Sequence, residues 1–326
     1  MIDRRELGAG GVSVGRIGYG AMVLEGYYGP SDDDRAVETI HRALDRGMTM
    51  IDSADAYGDG HNERLVGRAT RHLRDAFLAS KFGIVSDPSE PASEVATGWG
   101  FSLRISGRPG YATRALDASL SRLGVDALDL WYLHYPDPAV PIEETVGAMA
   151  AAVRAGKVRH LGLSNVTAEQ VRRAHAVHPV AAVQYEYSLW RREAETELLP
   201  TLRELGIALV AWSPLGAGFL TGTVGALAPT DFRQHNPRFA GDRLALNTDR
   251  FAPLMRLAGE FGVTPAQLAL AWLLHRGDDV FPIPGTRHAA RVDENAGASA
   301  IRLDADQLRR IDELSRPGLA EGATLV

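Results

Sequence analysis

Short apolar runs rich in Val, Ile and Leu alternate with amphipathic stretches along the whole chain. Each apolar run indicates a buried β-strand, and each amphipathic stretch indicates a helix. The predicted strands cover residues 16–22, 48–52, 77–81, 128–134, 158–164, 181–185, 207–212 and 280–283. Strict alternation of strand and helix predicts a parallel sheet of the α/β class. Eight such strands can close into a (β/α)₈ TIM barrel.

An open, doubly wound sheet is the other architecture that this alternation permits. A dinucleotide-binding protein of that type carries G-x-G-x-x-G after its first strand. The pattern occurs nowhere in this sequence, so the barrel is the predicted fold. No break in composition divides the chain, and we therefore expect a single domain over residues 1–326.

Helix and turn signals support the barrel. Ser31 is the expected N-cap of a helix over 31–46, and Thr167 is the expected cap of a later helix. Residues 6–7 and 12–14 flank a glycine-rich turn, which predicts an N-terminal β-hairpin that plugs the bottom of the barrel. Further predictions are helices over 62–72, 111–123 and 142–154, extra C-terminal helices, and long functional loops over 83–110 and 216–247.

Composition narrows the function classes. The sequence has no cysteine, which excludes disulfides, thiolate metal sites and cysteine nucleophiles. Its ten histidines are scattered without a metal-binding motif, so we expect no metal. A net charge of −6 argues against nucleic-acid binding. No signal segment and no apolar run of about 18 residues is visible, and these features predict a cytoplasmic enzyme without a membrane span.

Four chemically suitable side chains lie just after predicted strands. Asp52, Lys81 and His134 follow strands two, three and four, and Tyr57 follows five residues after Asp52. Because catalytic groups of such barrels lie at the carboxyl ends of the strands, these side chains can converge. A phenol with a pKa near 10 is a poor acid, and a lysine ammonium beside it lowers that pKa. A carboxylate keeps the lysine charged, and a histidine can bind the substrate oxygen.

Each of these residues also has an ordinary structural interpretation. Asp52 could cap a turn, Tyr57 could anchor a loop, and His134 could be a hydrogen-bonded core residue. Lys81 is harder to explain in this way, because it and Lys157 are the two lysines among 35 cationic residues. The four together predict a proton donor for a carbonyl that is reduced by an external hydride source.

Three segments carry a resemblance to a known family. I-D-S-A-D-A-Y-G at 51–58, S-K-F-G at 80–83 and L-H-Y-P-D at 133–137 resemble the aldo-keto reductase superfamily. L-T-G at 220–222 and D-F-R at 231–233 resemble its broad bacterial and plant branch. The resemblance implies NADPH-dependent reduction of aldehydes and ketones. It implies Tyr57 as the general acid, Lys81 and Asp52 as its electrostatic partners, and His134 as the residue that orients the carbonyl.

The resemblance also implies where NADPH (or NADP⁺) binds. Ser164, Asn165 and Gln184 would hold the nicotinamide carboxamide, and Trp212 would stack on the ring. The stretch 213–218 would approach the pyrophosphate through its backbone N–H groups. A lysine that some relatives carry is replaced by Gly285, which leaves Arg287, His288 and Arg291 to supply positive charge. The full set of cofactor residues is Ala21, Met22, Asp52, Ser164, Asn165, Gln184, Trp212, Ser213, Pro214, Leu215, Gly216, Gly218, Gly285, Thr286, Arg287, Arg291, Glu294 and Asn295.

The expected partner is a small carbonyl compound, with loop residues Met22, Tyr27, Trp99 and Tyr135 around it. A different interpretation is an NADPH-binding regulatory or redox-sensing subunit with little turnover, because the same four residues fit both roles. An isomerase on the same barrel is disfavoured by the cofactor motifs. The sequence leaves the natural substrate and the oligomeric state open.

Overall fold

The computed structural model describes residues 2–325. The strands within that range are β1 (Arg4–Glu6), β2 (Ser13–Gly15), β3 (Tyr19–Gly20), β4 (Met50–Asp52), β5 (Phe77–Phe82), β6 (Ser93–Ala96), β7 (Ser102–Ile105), β8 (Leu128–Leu133), β9 (Val158–Ser164), β10 (Val180–Glu186), β11 (Ala208–Trp212) and β12 (Val280–Pro282). Eight of them form a parallel sheet in the order β12-β11-β10-β9-β8-β5-β4-β3.

The two edges of this sheet meet. The backbone N–H groups of Gly18 and Gly20 donate to the carbonyls of Pro282 and Pro284 at 3.0 and 3.4 Å. These bonds join the region of β3 to that of β12 and close the sheet into a cylinder. The predicted (β/α)₈ barrel is confirmed.

Helices surround the cylinder and follow most of its strands. They are α1 (Asp33–Asp45), α2 (His61–Thr70), α3 (Pro109–Leu123), α4 (Ile142–Arg154), α5 (Ala168–Val177), α6 (Leu198–Leu205), α7 (Arg243–Glu260), α8 (Pro265–Leu274), α9 (Ala289–Gly297) and α10 (Ala305–Leu314). Thr167 begins α5 with a capping box, as predicted. Within residues 2–325 no single helix is long and apolar enough to cross a membrane, although the bent pair α7 and α8 meets the criteria together.

Two predicted boundaries are wrong. Asp32, not Ser31, caps α1, because its carboxylate accepts a hydrogen bond from the N–H of Arg35 at 3.0 Å. A carboxylate also interacts favourably with the positive end of a helix. The predicted strand 16–22 is reduced to Tyr19–Gly20, since the apolar run continues into a 3₁₀ helix over Ala21–Glu25. The other predicted strands lie within two residues of the observed ends.

The N-terminal hairpin closes one end of the barrel. Strands β1 and β2 pair antiparallel, and Leu7 and Val14 are fully buried among side chains of the barrel interior. Gly8 has φ +63°, and a Cβ there would lie 2.4 Å from the carbonyl oxygen of Ala181. The close approach of this turn to the barrel therefore requires glycine. The predicted plug is confirmed.

The two long loops lie at the opposite end, where the strands terminate. The first contains the antiparallel pair β6 and β7, and the second contains short 3₁₀ helices over Phe219–Thr221 and Phe232–His235. The ring of Phe232 joins the loops, with centroids 5.8 Å from Trp99 and 5.9 Å from Phe101. Together they wall a cavity above the carboxyl ends of the strands.

Candidate active site

The cavity has a volume of about 650 Å³, which lies within the usual range for small-molecule and cofactor sites. Side chains from the loops after nearly all barrel strands line it, together with residues 213–218 and 283–288. This position at the carboxyl ends of the strands is the one that barrels of this class use for binding and chemistry.

Lys81 lies at the base of the cavity and is fully buried. Its ammonium donates three hydrogen bonds, to Asp52 Oδ1 at 2.5 Å, to the carbonyl of Ser53 at 2.7 Å and to the hydroxyl of Tyr57 at 3.2 Å. An ammonium has three N–H donors, so all of them are used. The nitrogen also lies 4.8 Å from the centroid of the Tyr57 ring. Lys81 thus fixes the phenol relative to the strands.

The second carboxylate oxygen of Asp52 is also bonded. Gln184 Nε2 donates to Oδ2 at 2.7 Å. Burial raises the pKa of Asp52 and lowers the pKa of Lys81, while the attraction between the two groups opposes both shifts. A buried ion pair with satisfied hydrogen bonds offsets much of the desolvation cost that either charge would carry alone.

The loop that carries Tyr57 is held by polar residues that the sequence analysis missed. Ser53 Oγ donates to Asn62 Oδ1 at 2.7 Å, and Asn62 Nδ2 donates to the Ala21 carbonyl at 3.0 Å and to Glu25 Oε1 at 2.8 Å. Asn62 is fully buried. Its place at the start of a predicted helix is the one sequence signal that could have drawn attention to it. These bonds join three segments that are distant in the sequence.

The pKa of Tyr57 differs from the expectation. Burial and the charge of Asp52 raise it well above its ordinary value, whereas we expected Lys81 to lower it. The reason is that the positive charge of Lys81 is balanced by Asp52 at 2.5 Å. Tyr57 therefore keeps its proton at neutral pH. The hydrogen bond from Lys81 remains available to stabilise a phenolate as it forms.

His134 completes the group beside the phenol. Its ring meets the Tyr57 ring edge-on with centroids 5.9 Å apart, and it stacks on Tyr135 at 5.3 Å. Burial, with a smaller effect of Lys81, lowers the pKa of His134 well below its ordinary value, so the imidazole is neutral at pH 7. Nδ1 has no hydrogen-bond partner among the described residues. A neutral imidazole can donate a hydrogen bond from one nitrogen and accept at the other.

Next to His134, an amide oxygen is available to a ligand. Asn165 has φ +56°, an uncommon conformation for a non-glycine residue. Its Nδ2 donates to the His134 carbonyl and to Ser164 Oγ, both at 3.1 Å, while Oδ1 is buried without a partner in residues 2–325. A carboxamide N–H of a ligand would satisfy this oxygen. Gln184 lines the same cavity and donates one of its two amide N–H groups to Asp52.

The turn over residues 213–218 uses its N–H groups internally. Gly216 N–H bonds the Ser213 carbonyl at 2.8 Å, and Gly218 N–H bonds the Leu215 carbonyl at 3.0 Å. Ala217 N–H bonds Ser213 Oγ at 3.0 Å. These three N–H groups are therefore hydrogen-bonded within the turn. Arg233 lies beside the turn, where Nη1 donates to the Ala217 carbonyl at 3.2 Å and Nε and Nη2 donate to Asp231 at 2.9 and 2.6 Å.

The two arginines predicted to bind the cofactor at the far end of the cavity differ in whether their guanidinium groups are already hydrogen-bonded within the protein. Arg287 donates to the carbonyls of Pro30 and Tyr28, which fixes the loop between β3 and α1. Arg291 has a side chain 46% exposed and lies 3.9 Å from Glu294. A Cβ at Gly285 would lie 2.4 Å from the Gly20 carbonyl oxygen, so the lysine of some relatives has no space here.

All the predicted cofactor residues except Ala21 line this cavity, and so do Met22, Tyr27, Trp99 and Tyr135. Ala21 is buried below it. Lys81 is also below the surface of the cavity and reaches it through Tyr57. No group of three or more His, Asp or Glu side chains in residues 2–325 is placed to hold a metal ion.

Comparison with known proteins agrees with this geometry. Residues 16–316 match the sequence profile of the Aldo/keto reductase family. The chain belongs to this family. As an aldo/keto reductase it is an oxidoreductase of carbonyl compounds. The chain is 42% identical over 319 residues to "Probable aldo-keto reductase 1" of Glycine max, a match that covers 96% of this chain and 89% of that protein.

Solved structures show the same fold. A glycerol dehydrogenase from Gluconobacter oxydans is 28% identical with a TM-score of 0.83, and the match covers 99% of each chain. An aldo-keto reductase from Klebsiella pneumoniae, solved in complex with NADPH, is 27% identical with a TM-score of 0.74 and full coverage of both chains at 100%.

Asn62→Ala tests the hydrogen bonds that hold the Tyr57 loop of this reductase. Removing the amide leaves the buried hydroxyl of Ser53 without its acceptor and takes a donor from the Ala21 carbonyl and from Glu25, which should lower the free energy of unfolding by about 1–3 kcal/mol. It should also speed amide hydrogen exchange over residues 53–60. His61→Ala is the matched control, because His61 bonds the same Glu25 from a side chain that is 42% exposed. Equal effects of the two substitutions on exchange in that loop would contradict the assignment.

Proposed function

We propose that this aldo/keto reductase reduces aldehydes and ketones to alcohols with NADPH, and that Tyr57 donates the proton. The observation that carries the proposal is the threefold hydrogen bonding of Lys81 to Asp52, Ser53 and Tyr57. It sets a protonated phenol at the base of a cavity large enough for a ligand. An NADPH-binding regulatory subunit would not need this arrangement of a proton donor.

The residues around the cavity fit a nicotinamide cofactor. The buried, unpartnered Oδ1 of Asn165 and the neighbouring Ser164 would receive the carboxamide, and Trp212 would contact the ring. Arg291 lies along the cavity with a side chain that is 46% exposed, so it would face a phosphate group. NADPH, when bound, supplies the hydride that adds to the carbonyl carbon. The NADPH complex of the Klebsiella pneumoniae relative supports this choice of cofactor.

Tyr57 and His134 bind the carbonyl oxygen in this proposal. The neutral imidazole donates a hydrogen bond that orients and polarises the carbonyl. As negative charge develops on the oxygen, the phenol hydroxyl of Tyr57 transfers its proton there. Lys81 donates a hydrogen bond to the phenol oxygen at 3.2 Å and so stabilises the phenolate that remains. Asp52 holds the ammonium in place throughout.

Tyr57→Phe tests the proton donor. The substitution removes the acidic hydroxyl and keeps the ring, so turnover should fall at least about a hundredfold while NADPH binding stays close to that of the wild type. The measurement is the absorbance change of NADPH with 4-nitrobenzaldehyde as the substrate. Wild-type protein should oxidise NADPH rapidly in the same assay. A variant that retains most of the activity would show that another group donates the proton.

Arg291→Met tests the preference for NADPH over NADH. The 2′-phosphate can accept charge-assisted hydrogen bonds from the guanidinium, and loss of one should weaken NADPH binding about ten- to a hundredfold. NADH binding should change much less. Quenching of tryptophan fluorescence, reported by Trp212 in the cavity wall, measures both affinities.

Arg309→Met is the matched control for this titration. It removes an arginine side chain 59% exposed on α10 and should change neither affinity. Equal losses for NADPH and NADH in the Arg291 variant, or no preference in the wild type, would contradict recognition of the 2′-phosphate at this position.

A further inference from the structure

One buried carboxylate in the cavity wall has no part in the proton transfer described above. Glu186 ends β10, two residues beyond Gln184, and is only 6% exposed while lining the cavity. Its neighbour Gln184 faces Asp52, so Glu186 lies on the same side of the strand. A buried carboxylate at such a position has a high cost unless it is paired or binds a ligand.

Glu186 is paired through one oxygen. Arg191 Nη1 donates to Oε2 at 2.6 Å, and both side chains are buried. Burial raises the pKa of Glu186, while the charges of Arg191 and Arg238 oppose that shift. The hydrogen bond from Arg191 engages Oε2, and the other carboxylate oxygen, Oε1, can accept a further one from a molecule in the cavity that Glu186 lines. The pair therefore holds the carboxylate rigidly.

Glu186 lines the same cavity as Tyr28, Tyr135 and His134. Burial raises the pKa of Tyr28 and Tyr135, and the negative charge of Glu186 adds to each shift. Tyr135 stacks on His134. The carbonyl site at His134 and Tyr57 and the carboxylate of Glu186 therefore open into one cavity that a single substrate can occupy.

We propose that Glu186 is a specificity-determining residue that accepts a hydrogen bond from a hydroxyl group of the substrate. The inference rests on the proposed carbonyl reduction and adds a substrate class to it, namely hydroxy-aldehydes and hydroxy-ketones. A hydroxyl donates well to a carboxylate oxygen. A substrate without the hydroxyl leaves the buried acceptor unpaired, and sites built to bond a hydroxyl discriminate strongly against such analogues.

The test compares kcat/KM of Glu186→Gln with that of the wild type for two aldehydes. Glyceraldehyde carries hydroxyl groups, and propanal carries none. For each aldehyde, the variant's kcat/KM is divided by the wild-type value, so that the different reactivities of the two aldehydes cancel. In the variant, kcat/KM should fall at least about ten times more for glyceraldehyde than for propanal. Glu193→Gln is the matched control: Glu193 lies 3.6 Å from the same Arg191, is 55% exposed and is not a lining residue, so it should leave the ratio unchanged.

Other outcomes separate the two proposals. Equal loss on both aldehydes, or the same change in ratio for Glu193→Gln, would overturn the role of Glu186 and leave the reductase assignment intact. Failure of wild-type protein to oxidise NADPH with either aldehyde would instead overturn the reductase proposal.

A measurement on the wild type keeps the inference testable if Glu186→Gln does not fold. Glycerol and 1-propanol are compared as inhibitors of 4-nitrobenzaldehyde reduction. Glycerol should bind at least about ten times more tightly, because it can donate a hydroxyl to Oε1 of Glu186 if the proposal holds. Equal inhibition by the two alcohols would overturn the proposed hydroxyl recognition.

Discussion

The candidate active site depends on one buried ammonium. Lys81 has no contact with water, so its charge is tolerable only because three acceptors receive its three N–H groups. The strand register creates this arrangement. Asp52 on β4 pairs with Ala79 on β5, and Lys81 follows two residues later on the same face of β5. The carboxylate and the ammonium therefore meet where β4 ends, and the loop after β4 returns Tyr57 to the same nitrogen.

Much of this arrangement could be predicted from the sequence because it follows the ends of strands. Asp52, Lys81 and His134 each follow an apolar run, and parallel strands in a barrel bring those positions together. Strand β3 was predicted too long because its apolar run continues into a 3₁₀ helix. The cap of α1 was misplaced by one residue, since Ser31 and Asp32 can both cap a helix and only backbone conformation decides between them.

Features that depend on contacts between distant segments could not be predicted. The raised pKa of Tyr57 follows from burial and from the charge of Asp52, and the sequence alone does not show that the phenol is buried. The bonds of Asn62 to Ser53 and Glu25 join separate loops. In the sequence, Arg287 and Arg291 are equally suited to bind a phosphate. In the structure, the guanidinium of Arg287 donates its hydrogen bonds to carbonyls of the loop after β3. The pairing of Glu186 Oε2 with Arg191 likewise depends on the direction of the arginine side chain.

The most direct test of the account is the activity of Lys81→Arg beside that of Lys81→Met. A guanidinium is planar and bulkier than an ammonium, so it cannot occupy the same point between Asp52, Ser53 and Tyr57. Both variants should bind NADPH, as judged by tryptophan fluorescence, and both should lose at least about a hundredfold in turnover of 4-nitrobenzaldehyde. Wild-type turnover in Lys81→Arg would contradict the claim that a compact, fully bonded ammonium sets the proton donor.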